Sequence, residues 1–496
     1  MRHKDNSCLL SIDIGTTRTK AMLYCQDKGI VGEEEESYLT YYPRPGFVEQ
    51  DPDEVFAIVL KITRRLIDNA SIPPKMITAV IFDGIWHSLL PVDKEGNTLY
   101  RAITWADMRS ITQNEHLKAS LNTEEVKQRT GCALHPMYFP SRLLWFRKKL
   151  PDVFKRTARF ISIKEYIIHH LFGSYQVDHS TASGTGIWNM QNMNWDTDLL
   201  TEIGMTPDYF SECTEPVSFT PEGIKKKYAS LIGLPEGTPG IIGASDGAFS
   251  HLGSAGVMGD KISLTVGTGA AVRKCVHLPG IIPGSTAWCY YLADGNWLQG
   301  GNMLSAGNAL QWFADNLMPT AKTKAEIFSK MDQLAEEIPA GADGLFFLPF
   351  LGGQRCPADR PDARGTIYGL SLAHSRGHLI RAFMEGIAYN LYCIYKMLAS
   401  QSKTDVIASG GVLNSPVWLK IISEFFGKTI WLPRIKEVAA WGGVILGLKA
   451  IGALSDLKDS INLIDLTDKQ DPDPKNQKIY RNLLNEYEQL IRKIYG

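Results

Sequence analysis

No C-x-x-C pair occurs in this sequence, and its eight cysteines (Cys8, Cys25, Cys132, Cys213, Cys275, Cys289, Cys356 and Cys393) do not cluster with histidine. That scatter excludes a zinc module and predicts reduced, mostly buried thiols. Basic runs are missing as well. The 52 Lys and Arg stand against 53 Asp and Glu for a net charge of -1, with no stretch suited to track a nucleic-acid backbone. No segment is apolar enough to span a bilayer, and no long apolar leader precedes the first strand. These absences predict a cytoplasmic protein that binds neither nucleic acid nor membrane. Neither G-x-G-x-x-G after a strand nor G-x-x-x-x-G-K-[ST] is present, which argues against a Rossmann dehydrogenase and a P-loop enzyme.

What the chain does have is length and a duplicated turn. Its 496 residues exceed one ordinary core, and a hydrophobic fraction of 44% with 21% charge is that of a globular protein. Two large lobes follow, 1–255 and 256–496, with the boundary near Gly253 to Gly259. Each lobe carries an apolar strand-like run ending in a Gly-Thr turn: Leu9 to Ile14 followed by Gly15-Thr16-Thr17, and Ile262 to Val266 followed by Gly267-Thr268-Gly269. Glycine lets a backbone approach a ligand closely, while successive N–H groups and threonine hydroxyls donate to phosphate oxygens. One such turn is ordinary hairpin chemistry; two of them predict a clamp on a nucleotide phosphate chain.

Between these landmarks the pattern is α/β. Lys20 to Tyr24 completes a hairpin, and Asp51-Pro52-Asp53-Glu54 opens a helix with Val55, Phe56, Val59, Ile62 and Leu66 on one face. Met76 to Phe82 reads as a buried strand ending at Asp83-Gly84. In the second half a helix is expected over about His378 to Leu398, then a strand from Asp405 to Ser409 breaking at Gly410-Gly411. A helix over Pro416 to Phe426, one after Ala440 and a terminal helix follow.

Several residues carry chemistry. Asp13, two positions before Gly15, is either an Asx turn or a carboxylate that holds Mg²⁺ beside phosphates, with Arg18 and Lys20 close by on one strand face. Asp246 opens a helix after the apolar run ending at Ala244, and is either its N-cap or a base that accepts a hydroxyl proton. Trp105, Asp107 and Arg109 are spaced by two; on an extended backbone they form one platform for a polyol, and otherwise an Asp–Arg pair. Trp86 and His87, just past Asp83-Gly84, extend that platform. Gly410, Gly411 and Asn414 are either a plain tight connection or a surface against which adenine lies flat.

With these pieces in order, the sequence resembles the FGGY carbohydrate kinases over nearly its whole length. Asp13 to Thr17 is similar to their first phosphate motif, Gly46 to Pro52 to the segment leading into the next helix, and Gly267-Thr268-Gly269 to the second phosphate motif. Ser409-Gly410-Gly411 with Asn414 resembles the adenosine motif. Phe350 to Arg355 with Asp362 to Gly365 resembles the loop signature, and Gly369-Leu370 with His378, Leu379 and Glu385 the helix signature. The resemblance implies two ribonuclease-H-like (actin-like) lobes, ATP and Mg²⁺ in the cleft between them, Asp246 as base, and a homodimer. Trp86-His87-Ser88-Leu89, Ile103 to Arg109, and Thr130-Gly131-Cys132 with His135 to Tyr138 most resemble the gluconate kinases of that family, with Arg109 or His87 to meet the substrate's carboxylate. Xylulose kinases are similar at His87 and Asp107. The alternatives are therefore another polyol or ketose kinase, or an ATP-binding switch of the actin kind that transfers nothing.

Overall fold

The computed structural model describes residues 7–318, 323–399 and 404–496. Residues 1–6, on which the reading of the N-terminus rests, lie outside them. Two mixed sheets share a five-strand core, and the second carries one further strand at each edge. In the first, β1 (Cys8–Ile14), β2 (Arg18–Cys25) and β3 (Gly29–Ser37) form an antiparallel meander, and β4 (Ile77–Phe82) and β5 (Gly240–Ile241) add in parallel on the other side of β1. In the second, β6 (Lys261–Val266) and β7 (Ala270–Val276) run antiparallel, continued by β8 (Trp288–Ala293) and β9 (Asn296–Met303) in the order β8-β9-β7-β6. Strands β10 (Asp405–Gly410) and β11 (Ile430–Leu432) then extend that sheet in parallel beyond β6, and β12 (Asp468–Gln470) closes its edge. The chain passes from one sheet to the other through residues 256–260.

Period-2 alternation in β1 explains how this scaffold presents a carboxylate. Leu10, Ile12 and Ile14 enter the core beneath α1 (Pro52–Asn69), where they meet Val55, Val59, Ile62 and Leu66. Leu9, Ser11 and Asp13 face the other way, toward the second sheet. Helix α1 starts where the sequence predicts, with the Asp51 carboxylate accepting from the N–H groups of Asp53 and Glu54 at 3.0 and 3.4 Å. Two further helices sit between the sheets: α2 (Asp246–Ala255) and α5 (Val438–Ala450), the latter returning from the second half of the chain to cover β1, β2 and β4. Their backbones touch, because a Cβ on Gly442 would lie 2.0 Å from the Phe249 carbonyl oxygen and one on Gly253 1.9 Å from that of Val438. On the far side of the second sheet, α3 (Arg376–Leu398), α4 (Pro416–Phe426) and α6 (Pro474–Tyr495) complete an apolar core. Among the described residues no helix is long and apolar enough to cross a membrane.

The expectation of eight reduced thiols is corrected. Cys8 and Cys25 are direct cross-strand partners in the β1–β2 hairpin, with Cα atoms 4.1 Å apart, and form a disulfide. Register, which linear spacing does not display, brings them together. The other six cysteines are free, four of them buried.

Candidate active site

A cleft of about 1730 Å³ separates the two sheets, and both Gly-Thr turns open into it. Gly15, Thr16, Thr17 and Lys20 line one wall and Gly267, Thr268 and Gly269 the other, with Gly411 and Asn414 farther along. Gly410 stands just behind, its φ of 86° setting the sharp exit from β10. The first turn is braced from outside: the Gln50 amide donates to the Thr16 carbonyl at 2.6 Å, the Trp105 indole donates to Thr16 Oγ1 at 3.2 Å, and the Tyr38 hydroxyl bonds the Gly15 carbonyl. Lys20 forms an ion pair with Glu437, a residue just ahead of α5, so a contact between the two halves holds this wall. Arg18 pairs with Glu35 at 2.8 Å on the exposed side.

Asp246 lies at the first turn of α2, but Ser245 is the cap: its hydroxyl accepts from the Ala248 N–H at 3.4 Å. The Asp246 carboxylate is thereby released for the cleft. Its Oδ1 accepts from the N–H groups of Trp86 at 3.2 Å and Gly247 at 2.7 Å, which leaves Oδ2 for an incoming hydroxyl. Burial raises its pKa, while those two bonds and the Arg273 guanidinium pull the other way. Trp86, His87 and Trp105 line the same end of the cleft. The His87 imidazole is held at Nδ1 by the Gly184 carbonyl, 2.6 Å away, and burial lowers its pKa to about 3. The ring is neutral at pH 7, with the proton on Nδ1 and Nε2 left as an acceptor. Its φ of 67° is a strained setting for a non-glycine residue.

Asp13 and Asp246 line the cleft, and a third carboxylate, Asp83, is buried behind them. Burial raises Asp13 to about 6, with Lys20 opposing and Asp246 adding to the shift. Asp83 is raised well above its usual value, first by burial and then by Asp13 and Asp246. Its Oδ1 accepts from the Ile14 N–H at 2.9 Å, and its side chain also meets that of Asp13, a carboxyl–carboxyl contact that favours a proton on one of the two. A carboxylate with a raised folded-state pKa favours the native state below the unfolded value near 3.8, and that benefit is lost as pH rises through the folded value. Asp83→Asn, which keeps the acceptor for Ile14, is therefore expected to raise the melting temperature of the ligand-free protein at pH 8 and to change it much less at pH 4. Thermal melts at the two pH values check this; equal shifts at both remove the charge argument.

Asp107 and Arg109 are corrections. The residues after the short strand Ala102–Ile103 turn rather than run extended: the Asp107 N–H bonds the Thr104 carbonyl at 3.2 Å and the Met108 N–H that of Gly46 at 2.8 Å. The Asp107 carboxylate and Arg109 guanidinium pair with each other at 2.7 Å, and Arg109 also reaches Glu49 at 2.8 Å, with both ends of each pair out of solvent. Asp107 accepts from the Val48 N–H at 2.6 Å. The pair thus fastens the 46–50 segment, whose Gln50 braces the first turn, and neither residue lines the cleft. Arg109 is not an available cation, and neutral His87 is not one either. Arg142 is also internal, bonding the carbonyls of His87, Thr104 and Pro136.

Reading the sequence missed Asp83 and Arg273. Arg273 is buried, lines the cleft, and donates from Nη1 to Thr265 Oγ1 at 3.1 Å. The signal was its placement: it follows Ala271 by two in the strand leaving the second Gly-Thr turn, on the same face.

Two sheets with a like core, a deep cleft with a Gly-Thr turn on each wall, and a buried carboxylate lining that cleft are the parts of a two-lobed sugar-kinase architecture. The chain belongs to the FGGY family of carbohydrate kinases: the family's N-terminal domain matches residues 8–253 and its C-terminal domain residues 273–451. It is 34% identical to the gluconokinase of Bacillus subtilis over 98% of this chain and 96% of that one. The crystal structure of gluconate kinase from Lactobacillus acidophilus superposes with a TM-score of 0.91 at 29% identity, covering 99% of this chain and 98% of that one. The xylulose kinase of Bacillus subtilis is 24% identical over 97% and 96% of the two chains. The fold is that of the actin-like, ribonuclease-H-like sugar kinases, and the family's chemistry is phosphate transfer from ATP to an alcohol.

Proposed function

We propose that this chain phosphorylates the terminal hydroxyl of D-gluconate, giving 6-phospho-D-gluconate. The observation that carries this reading is the likeness to a gluconokinase along 98% of the chain. In this reading residues 1–255 hold the sugar and the first phosphate turn, and 256–496 supply the second turn and the adenosine surface.

Asp246 accepts the proton of the substrate hydroxyl as that oxygen attacks the γ-phosphorus in line. A base held rigidly at a helix start, with one oxygen fixed by two N–H groups, suits this step because phosphoryl transfer depends on positioning and charge neutralisation. Trp86 and Trp105 flank the sugar, and His87 Nε2 accepts from one of its hydroxyls. Gly15, Thr16, Thr17, Gly267, Thr268 and Gly269 cradle the phosphates from both walls, with Lys20 beside the first turn. Gly410, Gly411 and Asn414 carry the adenosine. Lobe closure over both ligands excludes water and so limits idle hydrolysis of ATP.

The acidic base of the cleft fits Mg²⁺. Crowded, buried Asp13 and Asp83 both have raised pKa values that a nearby cation would relieve, and Asp13, which lines the cleft, would be the ligand. Among the described residues no group of three His, Cys, Asp or Glu side chains is disposed to hold a metal, so phosphate oxygens and water would have to complete its shell. When bound, the ion neutralises charge on the phosphate chain.

The test is ADP release in a coupled assay with a panel of sugar acids, ketopentoses and polyols. D-Gluconate is expected to give a kcat/KM at least about tenfold above D-xylulose or glycerol, a margin of ~1.4 kcal/mol. A preference for D-xylulose replaces the substrate assignment and keeps the mechanism. ATP binding without ADP release for any acceptor favours a non-catalytic switch.

A further inference from the structure

A sugar acid brings a carboxylate into the cleft, and desolvating that charge is costly unless a cation meets it. The cationic side chains lining the cleft among the described residues are Arg18, Lys20, Arg273, Arg381 and Lys420. Arg18 and Lys20 are taken by Glu35 and Glu437. Arg381 is bonded to Glu385 and the Tyr480 hydroxyl, and it stands with Lys420 on the helices of the second lobe, away from Trp86 and Asp246. Arg355 is buried against Tyr138 and does not line the cleft.

Arg273 remains. It emerges from β7, where Ala271, on the same face, offers the cleft only a methyl group. Its Nη1 is anchored on Thr265 Oγ1, which fixes the plane of the guanidinium, while Nε is buried without a partner. Nη2 lies above Gly247, close enough that a Cβ there would come within 3.1 Å of it. The same Cβ would lie 2.1 Å from the Trp86 ring, so glycine there lets the indole and the guanidinium both pack onto the start of α2. Its opposing charge in this setting is Asp246, which the reaction requires for the hydroxyl proton.

We propose that Arg273 is the specificity-determining residue that reads the carboxylate of the sugar acid. The assignment rests on the gluconate reading above. With the chain of carbons bent across Trp86, the terminal hydroxyl meets Asp246 and the carboxylate takes the free edge of the Arg273 fork, a planar donor set that a lysine ammonium does not reproduce. The same contact screens Asp246 from the substrate's negative charge. A neutral polyol leaves the guanidinium unpaired, and the site discriminates against it for that reason.

The discriminating probe is D-gluconamide, which keeps every hydroxyl and replaces the carboxylate by an amide. In the wild-type enzyme, kcat/KM for gluconate is expected to exceed that for gluconamide about 100-fold, a factor of the size expected for a charge-assisted pair. In Arg273→Met both substrates lose what the guanidinium does for Asp246, but gluconate loses about 100-fold more than gluconamide, and the ratio collapses toward one. Arg273→Lys, which keeps charge without the fork, gives a ratio near ~10 and carries the test if the Met variant fails to fold. Calorimetric binding of the two ligands is expected to show the same ratios. The proposal is overturned if the wild-type ratio survives in Arg273→Met, or if both substrates lose turnover in parallel, which would place Arg273 in phosphoryl transfer instead. No gluconate-dependent ADP release from the wild type overturns the substrate reading itself.

Discussion

Asp246→Asn will fold, bind ATP within about threefold of the wild-type affinity, and transfer phosphate about 10³- to 10⁴-fold more slowly, at the upper end of what a positioned base contributes. Asparagine has the same shape, and its Oδ1 still accepts from Trp86 and Gly247, so the α2 start is preserved. What disappears is the ability to hold a proton from the attacking hydroxyl. The cluster of Asp13, Asp83 and Asp246 also loses one negative charge, so the variant is expected to melt no lower than the wild type at pH 7. Single-turnover transfer with saturating ATP and gluconate, beside calorimetric ATP binding, measures both halves of the statement. Turnover within tenfold of wild type would take Asp246 out of the mechanism.

Arg109→Met should cost about 3–5 kcal/mol of stability, the penalty for stripping one partner from a buried ion pair. It leaves the Asp107 and Glu49 carboxylates inside the protein with their cation gone. In a lobe of this size the melting temperature falls by roughly 6–20 °C. At temperatures where the variant is folded, KM for the sugar is expected to stay within about threefold, because the guanidinium touches no part of the cleft. Replacing Asp107 and Glu49 by Asn and Gln in the same chain recovers part of the loss, since the orphaned charges go with their partner. A stable Arg109→Met protein with sugar KM raised more than tenfold would return the residue to the substrate.

The contrast between these two residues shows where reading the sequence succeeds. Asp246 sits at a boundary that local chemistry marks, an apolar run followed by a helix start, and the family resemblance names its role; the structure adds that Ser245 does the capping. The even spacing of Trp105, Asp107 and Arg109 looked equally informative and was not. A two-residue period places side chains on one face only if the backbone is extended, and here the chain turns so that Asp107 and Arg109 bond each other. Trp105 alone reaches the cleft. Helix limits fared well, with α4 falling on Pro416–Phe426 as expected and α1 capped by Asp51.

The sequence by itself determined the two strand-and-turn units, the starts of α1 and α4, and the alternation in β1 that puts Asp13 opposite the core-facing isoleucines. Each of these depends on backbone conformation and side-chain period over a few neighbouring residues. Only the tertiary structure decided which cations are spent and which is free, that Cys8 meets Cys25, that α5 comes back to lie on β1, and that Arg273 stands beside Asp246. Those outcomes depend on which distant carboxylate, thiol or glycine packs alongside, and Coulomb attraction, desolvation and close helix approach act across space without regard to separation along the chain.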